Sequence, residues 1–189
     1  MNELQGHELI GERQLGAMPT DDLVRMWIAT TSAIVKYGFE IRYRDLEPPR
    51  TGTFNGRVIC LDPDVGFEMQ CFILLHLFGH SVQWVAPALE GSLDDLQNTT
   101  DRDHFLRELR RYEFEAAQFG IQLMHESGVT DLDQWYSDFV ETDWQYVRRY
   151  YVEGEIPEWA DCRTTGMPLI EPAEIPALRH REVEVRFAF

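Results

Sequence analysis

The sequence predicts an α+β domain, mostly helical with a small antiparallel β-sheet. Four long segments carry the apolar period of helices, and a short alternating run ahead of a hairpin signal supplies the strands. With 189 residues, 44% of them hydrophobic and 12% aromatic, the chain can close one sizeable core. We therefore expect a single domain over residues 1–189, with its core in about 20–152 and the stretch 153–189 wrapped over it.

From Thr20 to Tyr37 the apolar residues Leu23, Met26, Trp27, Ile34 and Tyr37 recur on one helical face, with Thr20 placed as N-cap, Asp21 and Asp22 in the first turn and Gly38 just past the end. Between Phe39 and Leu46, Phe39, Ile41 and Tyr43 alternate with Glu40, Arg42 and Arg44, the period of a half-buried strand, which Pro48 and Pro49 then break. Asn55-Gly56 supplies a positive-φ turn, so Thr51 to Asp62 reads as a hairpin. A helix from about Gly66 to Val85 has no polar face, which puts it at the centre of the fold, and Pro87 closes it.

An acidic loop with Asp94, Asp95 and Asn98 leads to helices over Asp101–Glu126 and Thr130–Val152, the second stopped by Gly154 and Pro157. Residues 154–176 are rich in proline and turn formers and should run extended over the surface. The chain ends with Val183, Val185, Phe187 and Phe189 alternating with Glu182, Glu184 and Arg186, a strand pattern. Such a strand needs a sheet: its own hairpin is the simple partner, and exchange into a second copy, giving a homo-oligomer, is the alternative.

The formal net charge of -16 disfavours direct binding of nucleic acid or an anionic membrane surface, both of which reward clustered Lys and Arg; Lys36 is the only lysine. The apolar run Cys71–Leu75 is interrupted at His76 and is far too short to span a membrane, and the first twenty residues lack the layout of a secretory signal. Cys60, Cys71 and Cys162 are an odd, scattered set without the spacing of a zinc knuckle or a disulfide framework, which fits free thiols in a cytoplasmic protein.

His76 and His80 lie four apart on the central helix, so both rings project from one face a turn apart, the arrangement with which two imidazoles grip one metal ion. Two core histidines hydrogen-bonded to backbone would give the same spacing. Around the pair stand a hairpin (Thr53-Phe54-Asn55-Gly56-Arg57-Val58-Ile59), then Phe72-Ile73-Leu74-Leu75-His76-Leu77-Phe78-Gly79-His80, and later Glu113-Phe114-Glu115-Ala116-Ala117-Gln118-Phe119. Over residues 39–125 this order resembles the ImmA/IrrE family of zincin-like zinc metallopeptidases, in which a helix bearing His-Glu-x-x-His follows a strand pair and a later helix supplies a third ligand. The resemblance implies a zincin-like fold, Zn2+ as cofactor, His76, His80 and Glu113 as its ligands, and Ala116 and Phe119 as packing positions.

Two positions depart from that family. Leu77 stands where the family has its catalytic glutamate, and a leucine cannot carry the proton that amide hydrolysis must move. Ala117 stands where an Asn or Asp usually buttresses the site, which predicts a looser centre. Glu68, eight residues before His76, is about 12 Å along the helix and too far to touch the same ion. Glu115 points away from Glu113 and is expected in solvent or paired with Arg110 or Arg111. Cys71 reads as core, His104 and His125 as surface residues, and most of the aromatic set from Trp135 to Tyr151 as core, with a minority free to line a groove for a protein or peptide partner.

Three functions fit these residues. The first is a divalent-metal protein of metallopeptidase-like fold that is catalytically impaired and acts as a binding module. The second is an active metal-dependent hydrolase that recruits its base from elsewhere. The third is a non-haem iron protein, since two His and a carboxylate also describe that donor set.

Overall fold

The computed structural model describes residues 18–89 and 100–183. Its elements, in chain order, are helix α1 (Thr20–Lys36), strands β1 (Glu40–Tyr43), β2 (Gly52–Phe54) and β3 (Val58–Leu61), and helices α2 (Phe67–Val85), α3 (Arg102–Glu126) and α4 (Asp133–Glu153), with short 3-10 turns at Pro87–Leu89 and Trp159–Cys162. The fold is α+β and mostly helical, as the patterning predicts.

Helix α2 is buried nearly all round, with Phe72, Leu74, Leu75, Phe78 and Val82 at its centre, and it packs against α1, α3, β2 and β3. Its crossing with α3 is set by Gly79. A Cβ there would lie 2.0 Å from the Ala116 carbonyl oxygen, so the two backbones meet where neither helix has a bulky side chain. Helix α4 also packs against α3, and its Tyr136 hydroxyl lies over Gly120, close to the Leu75 carbonyl of α2.

The sheet differs from expectation in one respect. It is mixed rather than antiparallel, in the order β1-β3-β2, with β3 antiparallel to β2 but parallel to β1. Burial explains the order: Ile59 and Leu61 are fully buried, so β3 takes the middle, whereas β1 carries Glu40, Arg42 and the exposed Tyr43 and tolerates only an edge. As the hairpin partner of β2, β3 runs antiparallel to it, and the β1–β2 connection leaves β1 parallel to β3. The hairpin itself forms as predicted, with Gly56 at φ 86° and the Asn55 side-chain oxygen accepting the Arg57 and Val58 N–H groups.

Helix ends shift by a residue or a few. Thr20 is the first helical residue rather than the N-cap, and the Pro19 carbonyl accepts the Asp22 and Leu23 N–H groups. Asp101 caps α3 by accepting the His104 N–H. Gly154 ends α4 in the left-handed conformation at φ 74°.

Beyond α4 the chain runs extended, as expected, and ties itself down residue by residue. Met167 N–H donates to Asp138, Ile170 N–H to Ser137, Ala173 N–H to the Gln118 carbonyl and Arg179 N–H to the Val85 carbonyl. Of the proposed terminal strand only Glu182 and Val183 are described, and Val183 N–H donates to the Asn55 carbonyl at the hairpin turn. Residues 184–189, the acidic loop with Asp94, Asp95 and Asn98, and residues 1–17 lie outside the described part. No described helix is long and apolar enough to cross a membrane.

The crossing of α2 and α3 generates a prediction. Gly79→Ala places a methyl group against a backbone oxygen that cannot swing aside, and it should cost about 1 to 3 kcal/mol, the usual range for overpacking. A lower urea midpoint at unchanged m-value would register it.

Candidate metal centre

The close crossing brings one turn of α2 against one turn of α3, and the three residues picked from sequence meet there. His76 Nε2 and His80 Nε2 are 2.9 Å apart, and Glu113 Oε2 lies 3.3 Å from the first and 3.2 Å from the second. His80 and Glu113 are buried at 3% and 4% exposure, and the His76 side chain retains 12%, facing a cleft. His76, His80 and Glu113 thus form a group that could hold a metal ion.

The donor set can be tested against such an ion. A tetrahedral ion with bonds of about 2.0 to 2.1 Å spaces its ligand atoms roughly 3.3 Å apart, close to the three edges observed. Hydrogens satisfy the same triangle badly. With at most one hydrogen on each Nε2 and none on the carboxylate, hydrogen bonds cannot satisfy all three edges, and at least one is left with two acceptors or two donors facing each other. Glu113 Oε1 and His76 Nδ1 are moreover buried without a hydrogen-bond partner. One cation at the centre of the triangle removes the repulsion along all three edges, and the residues fit it.

The rings are held from several sides. His80 stacks on Tyr112 at 4.4 Å between centroids, with Phe54 parallel to it at 6.2 Å, and His76 stacks on Phe72 at 5.4 Å. His80 Nδ1 lies 2.8 Å from the Gln83 side-chain oxygen, and the Gln83 amide nitrogen donates to the Tyr112 carbonyl at 2.9 Å and to Glu115 Oε2 at 2.8 Å.

Burial, reinforced by the neighbouring His80 and only partly opposed by Glu113, brings His76 down to about 3. Burial alone would raise the Glu113 carboxyl, but the two histidines and Arg110 outweigh it and hold it below the ordinary carboxylate range. His76 is therefore neutral across the physiological range, so a metal binding there would have no proton to displace from a charged ring.

Above the triad opens a cleft of about 460 Å3. One wall is α2, with Phe72, His76, Leu77 and His80; the edge strand β2 forms another; and α4 supplies Asp143, Tyr146, Val147 and Tyr150, which share a face by their spacing. Leu77 points into this cleft beside β2, where a Cβ on Gly52 would touch its Cδ1.

The remaining candidates fall elsewhere. Glu68 accepts the Trp135 indole N–H at 3.0 Å, away from the triad, as its distance along the helix requires. Cys71 is core, and burial raises its thiol to about 12. His125 pairs with Asp133 at 2.9 Å, and His104 sits in the first turn of α3 beside Arg107. Phe119 and Ala116 pack in the interior, and Ala117 is fully buried in the main core.

Glu115 needs correction. Arg110 pairs with Glu141 and Arg111 with Glu108, whereas Glu115 receives the Gln83 amide. The sequence alone singles out neither Gln83 beside His80 nor Asp143 in the cleft; for Gln83 a signal exists, an amide between Val82 and Trp84 three residues after His80. Compared with known proteins, the chain matches no family model, no curated protein and no solved structure.

The pKa directions predict how acid acts on the metal-free protein. Between the ordinary histidine value of 6.5 and about 3, the unfolded chain binds a proton at His76 that the folded chain refuses, so stability present above 6.5 falls as pH drops. Glu113, held below its ordinary 4.5, adds a loss of the same sign in more acidic solution. Urea unfolding in chelator should show stability falling by about 1.4 kcal/mol per pH unit from His76 alone, a slope that His76→Ala removes.

Proposed function

We propose that this protein binds a divalent transition metal, zinc by our reading, through His76, His80 and Glu113, and that it is catalytically impaired as a hydrolase. The single observation that carries the metal is the triangle of 2.9, 3.2 and 3.3 Å formed by three buried or nearly buried ligand atoms. Three protein ligands and one side open to a cleft also suit a metal that receives a ligand from solution. The order of motifs supports kinship with the zincin-like ImmA/IrrE peptidases, and Leu77, turned into the cleft where that family carries its proton acceptor, supports impaired chemistry. On this reading the cleft binds a protein or peptide segment rather than cutting it.

One observation favours the rival reading of an active hydrolase. Asp143 lines the same cleft from α4, opposite the helix that bears the histidines, and would be the recruited base. The donor set also suits ferrous iron, so the metal has to be identified directly.

Metal analysis of protein purified without added metal, with an anomalous diffraction map at the triad, tests the reading. One zinc per chain is expected; no metal at neutral pH overturns it, and iron redirects it. His76→Ala or His80→Ala should abolish stoichiometric binding, and Glu113→Gln should weaken it less because a neutral oxygen remains. Wild type should not hydrolyse an unstructured peptide, whereas Leu77→Glu, which sets a carboxylate beside the open position, should gain measurable hydrolysis. Turnover by wild type that Asp143→Asn abolishes would establish the rival.

A further inference from the structure

We infer that Gln83, anchored by Glu115, is a positioning residue that locks His80 in the Nδ1–H tautomer and thereby presents the bare Nε2 lone pair to the metal. The inference rests on the metal reading above for its purpose, though not for its geometry.

The Gln83 side chain has two ends, and its surroundings decide which is which. One end lies 2.9 Å from the Tyr112 carbonyl and 2.8 Å from a Glu115 carboxylate oxygen, both acceptors, so that end must be the NH2 group. Turning the amide over would set its oxygen against two other oxygens at those distances. The oxygen therefore faces His80 Nδ1 at 2.8 Å, and a carbonyl oxygen can only accept, so the hydrogen of the neutral ring sits on Nδ1. A neutral imidazole has one such hydrogen. Nε2 is left with its lone pair pointing at His76 Nε2 and Glu113 Oε2, where the ion would lie.

Neither ring nor amide has an easy alternative. Tyr112 and Phe54 both stack on the ring, and Gln83 is 2% exposed, so water cannot take over its contacts. The same amide reaches the backbone of Tyr112, the residue before Glu113. One side chain thus sets the tautomer of the second ligand and ties α2 to the turn of α3 that carries the third. This relay buttresses the centre from the His80 side, where Ala117 offers nothing. Outer partners of this kind typically contribute about 10- to 100-fold to metal affinity.

The test reads the tautomer directly, by long-range 1H–15N correlation on full-length, histidine-labelled protein in chelator at mildly alkaline pH. In wild type, His80 Nε2 should be the unprotonated nitrogen, and this measurement needs no variant. Gln83→Leu should populate the Nε2–H form and weaken zinc binding about 10- to 100-fold. Should that variant fold poorly, Glu115→Leu, which removes one of the two acceptors at a half-exposed position, should give a smaller shift in the same direction. A residue that only stabilised the helix pair would lower the melting temperature without moving the tautomer. A hydrogen on His80 Nε2 in the wild type overturns the inference, as does a Gln83→Leu protein with unchanged tautomer and zinc affinity. If the wild type takes up no metal while His80 remains in the Nδ1–H form, the metal reading falls and the lock stands, so the two failures are told apart.

Discussion

The contact on which the rest depends is the meeting of two backbones at Gly79 and Ala116. Because a Cβ at residue 79 would stand 2.0 Å from the Ala116 oxygen, α2 and α3 approach as closely as main chains allow. That closeness is what lets a carboxylate as short as Glu113 reach two imidazoles on the neighbouring helix. Gln83, one turn further along α2, spans the same gap to the Tyr112 carbonyl. The candidate ligand group and its supporting hydrogen bonds are thus consequences of a helix crossing, and the crossing in turn follows from where the sequence places its smallest side chains.

Most of the fold was legible because its signals are local. The spacing of His76 and His80, the Asn55-Gly56 turn and the apolar character of α2 each act within a few residues, and each survives folding unchanged. The direction of β1 was not legible, because it depends on β3 being the more apolar strand and claiming the centre, a competition between segments. Glu115 was misread for a related reason. Helical spacing alone turns it away from Glu113, but its carboxylate reaches Gln83 near the end of α2, whose position only the packed structure reveals.

The centre combines a depressed histidine, an ionised buried carboxylate and an amide of fixed orientation within a few ångströms. In the absence of a cation such a cluster opposes folding more than it assists it, since burial is costly for each member. On the proposed metal reading the arrangement is preorganisation: the cost of dehydrating and orienting the three side chains is met by helix packing before an ion would arrive. Leu77 lines the same cleft without disturbing the triangle, so the group that could hold an ion has no carboxylate from the turn between its two histidines.

The extended segment after α4 carries a different consequence, for the order in which the molecule assembles. His180 Nε2 donates to the Tyr37 carbonyl at 2.7 Å, 143 residues earlier, and its other nitrogen faces the Gly56 carbonyl, 124 residues earlier. Contacts so remote in sequence are closed late, because the entropy of bringing their ends together is recovered only once the intervening helices have docked. The segment lies over joints that must already exist for it to lie there. It ties the end of α1, the hairpin and the end of α2 together, so its release would loosen all three joints at once.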